Sequence, residues 1–316
     1  MLGDRAIVFA VNIGCYVRHP ILLFRFRQRH GRWPWPANPA DYWSKVLWRK
    51  LFDRNPTFTR LSDKLQYKAW IASSYPNVRT AAVLWTGTSA GEIPVDDFVG
   101  LPTVLKSNHG SQHSLHLENL STADSQTIRR TAERWLNHAF GKTYGEWGYY
   151  DIHRKLFVEA KIVAPSNADV MDCNCFCAMG QVVQSRIIVG MKTPDSRAAF
   201  FDREGRRLAG KSIWKTGSDT PLPDDFEVPR AFFKAASAAE RISHDMDFVR
   251  LDFLIVGEDV YALECTWYPG AGYVRYSDPA LPKTLNDSWD IRRSWFMTTT
   301  SHRLTETYKS ALRRCL

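Results

Sequence analysis

Residues 247–272 read DFVRLDFLIVGEDVYALECTWYPGAG. Two runs rich in β-branched and aromatic residues flank Gly257-Glu258-Asp259, the pattern of a β-hairpin turning at those three residues. A three-residue loop sets Val256 against Val260, Asp252 opposite Glu264 and Arg250 opposite Thr266. Period-two alternation then puts Arg250, Asp252, Glu264 and Thr266 on one face. The other face carries Val249, Leu251, Phe253, Ile255, Tyr261, Leu263 and Cys265, a core surface. A slip of one residue would set Asp252 against Cys265 and mix the faces, so the pattern itself selects this pairing. Carboxylates opposed on adjacent strands repel unless a cation lies between them. Magnesium meets that need, since it takes one or two carboxylates together with substrate phosphates, and Arg250 on the same face can hold a phosphate or carboxylate bidentately. The plain alternative is a solvated hairpin with incidental charges. Against it stand Phe248, Leu254, Val256, Val260 and Ala262, which make the rest of that face apolar.

Working outward, LPTVLKSNHGSQ (101–112) is an extended apolar piece ending at Lys106 in a polar loop. Backbone amides of such a loop can cradle phosphates that the lysine neutralises; no GxxxxGK precedes it, and a lysine closing a strand before a turn is also an ordinary surface residue. Helices are expected over Tyr42–Phe52, Asp63–Ile71, from a Thr122 N-cap to Phe140, Glu227–Ile242 with Pro229 in its first turn, and as one amphipathic helix across much of Asp290–Arg314. Strands are expected at Leu156–Val158, Cys173–Ala178, Val182–Val189, Phe248–Val256 and Val260–Cys265. This order of layers predicts an α+β fold with two sheet-bearing lobes and a cleft between them. The expected division is an N-terminal basic, helical segment (1–60), a small lobe with the phosphate loop (61–150) and a large lobe with the hinge and metal site (151–316).

The chain has 316 residues, 44% hydrophobic and 24% charged, which excludes disordered, collagenous and coiled-coil classes. The apolar run Ala6–Val17 is broken by Asn12 and is shorter than the roughly 20 residues of a bilayer span. Its flanks, Asp4-Arg5 and Arg18-His19, do not suit a secretory leader, so a cytoplasmic location with reduced thiols is expected for the six cysteines. The balance of 42 Lys+Arg against 33 Asp+Glu gives +9 and favours an acidic partner. Arg18, Arg25, Arg27, Arg29 and Arg32 interleave with Ile21, Leu22, Leu23, Phe24 and Phe26, a segment that suits either peripheral contact with an anionic membrane or a solvated basic edge over an aliphatic core face. No nucleic-acid motif accompanies it, and no nucleic-acid partner is expected.

The order Asp63-Lys64, LPTVLKSNHGS (101–111), LFVEAKI (156–162), VRLDF (249–253) and LECTWYPGAG (263–272) resembles the ATP-grasp superfamily, and within it the TupA-like branch associated with teichuronopeptide and polysaccharide assembly. Asn38-Pro39, Trp43-Ser44-Lys45 and LWRKLFDRNPTFTRLSDK (47–64) extend the likeness, which runs from about Asn38 to Pro279. The resemblance implies ATP held between two lobes. Lys64 and Lys106 would lie on its phosphates, with Asn108, His109, Gly110 and Ser111 closing over them. Glu159, Ala160, Lys161 and Ile162 would form the adenine-facing hinge, mainly through backbone groups. Asp252 and Glu264 would bind magnesium, with Thr266 where many members carry a ligand asparagine. Arg250 would stabilise the transferred phosphoryl group or an acyl phosphate, acting with Lys106. Three departures stand out: Gln112 where the family's loop continues in glycine, Thr266 for asparagine, and Asn174 where the branch carries lysine.

Cys173, Cys175 and Cys177 alternate on one strand, a spacing that suits packing better than zinc. His113 and His116 lie near the loop, and Trp267 and Tyr268 follow the metal residues, where either an acceptor pocket or a tight turn accounts for them. The resemblance implies a magnesium- and ATP-dependent carboxylate–amine ligase working through an acyl phosphate. Its substrates would be a carboxylate and an amine co-substrate, with an acidic glycan as the carboxylated partner. Two alternatives stay open: a kinase-like enzyme that stops at phosphorylation, and a non-catalytic nucleotide- or glycan-binding protein.

Overall fold

A computed structural model describes residues 2–165, 168–191, 193–215 and 217–316. The chain opens with α1 (Leu2–Arg18) and α2 (Pro20–His30), which meet at 98° where Pro20 starts the second helix. The expected helix Tyr42–Phe52 is α3, and Asp41 caps it by accepting the Ser44 amide at 2.9 Å. Then come α4 (Pro56–Ser62) and α5 (Lys64–Ser74), the latter capped by Asp63 through the Leu65 amide at 2.9 Å. The first sheet contains β1 (Val83–Gly87), β2 (Thr103–Ser107), β3 (Ser114–His116) and, beyond α6 (Ser125–Asn137), β4 (Leu156–Ala160). Thr122 does not cap α6: it begins a 3-10 turn whose capping box is Ser121 with Asp124, because their side chains satisfy the first free amides.

The second half begins with β5 (Val170–Ala178), β6 (Gln181–Val189), β7 (Arg197–Phe201), β8 (Arg207–Leu208), β9 (Ser212–Trp214), β10 (Gly217–Ser218) and β11 (Thr220–Pro221). After α7 (Arg230–Ile242) come β12 (Val249–Val256), β13 (Asp259–Thr266), β14 (Arg275–Tyr276) and α8 (Ala280–Ser288). The single helix expected over Asp290–Arg314 is broken into a 3-10 turn at Ile291–Arg293, α9 (Trp295–Thr298) and α10 (Arg303–Cys315). Ser294 restarts the chain as an N-cap, accepting the Met297 amide, and His302 does the same for α10 through the Leu304 amide.

Helix accounts for 42% and strand for 22%, in keeping with the expected α+β class. The contacts define two compact units that do not follow the three consecutive segments read from the sequence. One is formed by Met1–Asn55, Met171–Leu251 and Thr266–Leu316; the other by Pro56–Val170 and Asp252–Cys265. Residues 1–55 fold with the C-terminal third because α1 packs along α10.

In the second unit the sheet order is β1-β4-β2-β3, antiparallel, with Leu105 opposite Val158 and Val104 opposite Glu159. Alternation gives this sheet two different faces. Leu105, Leu156 and Val158 join Ile128 and Ala132 of α6 in one buried cluster, each large side chain contributing about 1.5–3 kcal/mol. Lys106 and Glu159 point to the other face. The larger sheet runs β11-β7-β6-β5-β12-β13 with β8 on β7, and its β5–β6 register shifts between Phe176 and Cys177. Cys173, Cys175 and Cys177 are buried there and form no disulfide, the first two sulfurs lying 3.6 Å apart.

Candidate functional site

Lys64 joins two of the sequence features that carry chemistry, the loop after β2 and the hairpin carboxylate Glu264. Asp63, as N-cap, makes Lys64 the first residue of α5, and the Lys64 amide donates to Asn108 O at 3.0 Å, fixing the helix start to the loop after β2. Its Nζ donates to Gly110 O at 2.5 Å and lies 3.5 Å from Glu264 Oε2. One ammonium thus touches both the loop and the hairpin carboxylate.

The loop is tethered from within. The Asn108 side chain is fully buried, donating to His153 O at 3.0 Å and accepting the Lys155 amide at 2.8 Å. His109 is buried against α6, with Nε2 3.0 Å from Trp135 O and Nδ1 3.3 Å from Asn108 Oδ1. Burial above all, helped by Arg154 and Lys64 and opposed by the Trp135 carbonyl, lowers this imidazole to about 4. Both side chains therefore position the backbone and do not project from the loop; the exposed members are Ser111 and Gln112. His113 stacks on Trp135 at 5.4 Å and 9°, and a Cβ on Gly110 would lie 2.2 Å from its Nδ1, so the loop needs glycine at 110. Gln112 has φ +61°, a left-handed backbone that glycine adopts without strain.

Lys106 rises from β2 to Glu159 on β4. The Glu159 carboxylate sits between two lysines: Oε1 accepts Lys106 Nζ and Oε2 lies 2.9 Å from Lys68 Nζ. Burial would raise this buried acid, but Lys106 and Lys68 together outweigh burial and hold it below the usual carboxylate range. Burial likewise lowers Lys68, and Glu159 offsets part of that. Lys68 also donates to Ala81 O at 3.0 Å. The sequence reading missed Lys68. The signal was there, because it lies four residues after Lys64 and so on the same side of α5.

Of the expected hinge, Glu159 is thus an ion-pair centre. The amides of Ala160 and Lys161 are engaged, by Ala82 O at 2.9 Å and Pro102 O at 2.8 Å, and the Lys161 ammonium pairs with Glu118 at 2.5 Å. Ile162 follows, half-buried and beyond the end of β4.

On the hairpin, strand ends at Val256 and resumes at Asp259, so the turn is Gly257-Glu258 and not the expected three residues, and the pairings expected from the longer loop, Val256 with Val260 and Asp252 with Glu264, do not follow from it; Gly257, at φ +55°, supplies the positive φ at its first position. Asp252 is buried, the Glu264 side chain is 32% exposed, and Arg250 Nη2 donates to Thr266 Oγ1 at 3.3 Å. Trp267 and Tyr268 are buried, at 2% and 1% exposure, so neither side chain lies open to an acceptor. Among the described residues no group of three or more His, Cys, Asp and Glu side chains could hold a metal. Magnesium takes one or two carboxylates and completes its shell with phosphates and water, so it does not need an all-protein cage. The Glu264 carboxylate is paired with the Lys64 ammonium at 3.5 Å.

The family profile described as TupA-like ATPgrasp matches residues 44–289. No curated protein matches the sequence. Among solved structures, the ATP-grasp ligase PsnB complexed with a minimal precursor is 10% identical, with 67% of this chain and 54% of that chain covered and a TM-score of 0.37. D-alanine–D-alanine ligase from Helicobacter pylori is 11% identical over 80% of this chain and 70% of its own, at TM-score 0.44. The Bacillus anthracis enzyme is 15% identical over 81% and 68%, at 0.41. The chain spans 54% of the PsnB chain in its complex with the minimal precursor and 61% of the PsnB chain in its complex with a phosphomimetic variant of that precursor, Mg and ADP.

Proposed function

Because the chain belongs to the TupA-like ATP-grasp family, we propose that it is a magnesium- and ATP-dependent ligase joining a carboxylate to an amine through an acyl phosphate, with an acidic glycan as the carboxylated substrate. The observation that carries this reading is the single contact point of Lys64 with both Gly110 and Glu264. A phosphate chain entering there meets the Lys64 ammonium and the Gly110–Ser111 backbone together, and Lys106 adds a second cation from β2. Asp252 and Glu264, with Thr266, are the residues that would hold magnesium, which when bound offsets charge on the phosphate oxygens. Arg250, two residues before Asp252 on β12, would orient the transferred group through its planar fork. Asn108 and His109 hold the loop in place, and the backbone from Glu159 to Ile162 would face the adenine. The net charge of +9 supports a polyanionic acceptor.

The test is ADP release with ATP and magnesium, supplying amino acids and carboxylated sugars separately and together. Release that requires both, and falls by about 10²-fold or more in Glu264→Ala and in Lys64→Met, is the expected result. Release with carboxylated sugars alone, with no amine requirement, would replace the ligase by a kinase-like phosphotransfer. Equal turnover of uronate and neutral acceptors would remove the acidic glycan from the reading.

A further inference from the structure

Among the described residues, 21 large hydrophobic side chains are exposed, and eight of them fall in the first 35 positions: Leu2, Phe9, Ile13, Val17, Ile21, Phe24, Trp33 and Trp35. On α1 they follow a strict helical spacing. Leu2, Ala6, Phe9, Ile13 and Val17 form one exposed stripe, while Val8, Asn12 and Cys15 are buried on the opposite side. A helix apolar on both faces has one face covered and one uncovered. The uncovered stripe continues through aromatic contacts, with Phe9 5.9 Å from Trp35 and Phe24 6.4 Å from Trp33. Its rim is cationic. Residues 1–36 contain six arginines and one acid, Asp4, and that acid is neutralised by Arg314 at 2.6 Å. Arg5, Arg18, Arg27 and Arg32 are exposed, and Arg27 lies 4.7 Å over the Trp33 ring.

We infer that this helical pair is a docking surface for the interface of an anionic phospholipid bilayer, with α1 lying in the plane of the membrane. Charge complementarity selects this occupant. A second copy meeting the same patch would set arginines against arginines, whereas a bilayer with anionic headgroups offers both an apolar layer for Phe9, Ile13 and Val17 and negative charge for the rim. Tryptophans beside arginines are the residue types that settle at headgroup level. Spanning is a different matter. No single helix is long and apolar enough to cross a membrane; the bent pair meets that test only by length and composition. The 17 residues of α1 reach roughly 25 Å, less than the hydrocarbon core, and its Val8–Cys15 side is packed in the protein. This inference does not depend on the ligase reading. It places whichever reaction the protein performs beside a membrane surface.

The test is co-sedimentation of the full chain with vesicles of phosphatidylcholine containing about one-third phosphatidylglycerol, against phosphatidylcholine alone. Binding to the anionic vesicles, weakened in about 0.5 M salt and reduced at least about tenfold by Ile13→Glu with Val17→Glu, is the expected result. Circular dichroism melting of that variant checks its fold. Independently of any variant, brominated lipids should quench wild-type tryptophan fluorescence, and the quenching should diminish in Trp33→Phe with Trp35→Phe. Equal binding to both vesicles, no binding, or a dimer in size exclusion that Ile13→Glu dissociates would overturn the inference, the last reassigning the patch to self-association.

Discussion

Glu159 shows how one side chain governs the cations around a candidate phosphate site. Two ammonium groups share its carboxylate, so neither Lys68 nor Lys106 is buried without a counter-charge; removing the acid alone would leave a buried cation, a loss that typically exceeds the net worth of the pair. A phosphate reaching Lys106 competes with Glu159 for it, while Lys68, held also by Ala81 O, keeps the acid paired. His109 is the complementary case, a neutral ring kept uncharged by burial. Its folded-state value near 4 lies below the unfolded value of 6.5, so between those limits the unfolded chain binds more protons than the folded one. Stability from this residue is present above pH 6.5 and is lost as pH falls toward 4. His113, also lowered to about 4 by burial, acts in the same direction. Lowering the pH from about 7 to about 5 should therefore destabilise the protein by on the order of 2 kcal/mol through His109. Urea unfolding at the two pH values checks this, and His109→Gln should flatten the dependence; an unchanged slope would mean that His109 does not carry it.

Elements built from local rules were legible, and those set by distant partners were not. Tyr42–Phe52 was readable residue for residue, because the Asp41 cap and the apolar period agree, and the strands of the hairpin followed from alternation. The turn was misjudged by one residue: Gly257 at the first position closes a two-residue loop, and sequence alone does not separate that from a three-residue one. The C-terminal helix was overrun because an amphipathic period continues across Ser294, while the break depends on that serine turning back on its own backbone. The loop after β2 is the instructive element. Its strand-then-polar-loop pattern was legible, but the inward direction of Asn108 and His109 was not, since it depends on His153, Lys155 and α6. Gln112 stands where the resemblance led one to look for glycine, and the backbone there is left-handed. Replacing it by glycine relieves strain while loosening the unfolded chain, so Gln112→Gly should change stability by less than about 0.5 kcal/mol. A β-branched side chain has no such ease at positive φ, and Gln112→Val should cost about 1–2 kcal/mol. Thermal melts of the two variants check the contrast; equal melting temperatures would show that the loop adjusts its backbone freely.

Over the whole molecule, the feature least visible in the sequence is the network that gathers one unit from three separate stretches of chain. Arg49 is a charged residue within α3, yet it is fully buried. Its Nη1 donates to Phe248 O at 2.8 Å and to Trp267 O at 3.1 Å, its Nη2 donates to Asp247 at 2.7 Å, and its Nε lies 3.9 Å from Asp53. Trp289 stacks on Phe248 at 4.5 Å, lies 4.2 Å beneath the guanidinium and donates its indole N–H to Asp247 at 2.8 Å. Phe296 donates its amide to Asp53 at 3.0 Å. Burial first, and the nearby Asp247 second, push Asp53 up from the usual carboxylate range, while Arg49 pulls it back. The partners lie up to 243 residues apart, which is why periodicity and spacing gave no hint of them. They belong to Met1–Asn55, Met171–Leu251 and Thr266–Leu316, so this one guanidinium bonds to all three segments of its unit. Lysine keeps the charge but lacks the planar fork that serves two carbonyls and a carboxylate at once, and Arg49→Lys should cost about 3 kcal/mol or more. The loss should also be shared. In hydrogen exchange, peptides covering 42–55, 245–251 and 285–298 should lose protection together in Arg49→Lys, because a contact that joins three segments stabilises them as one cooperative group. Loss confined to 42–55 would mean that Arg49 merely packs its own helix, and that the three segments are held together by apolar burial without it.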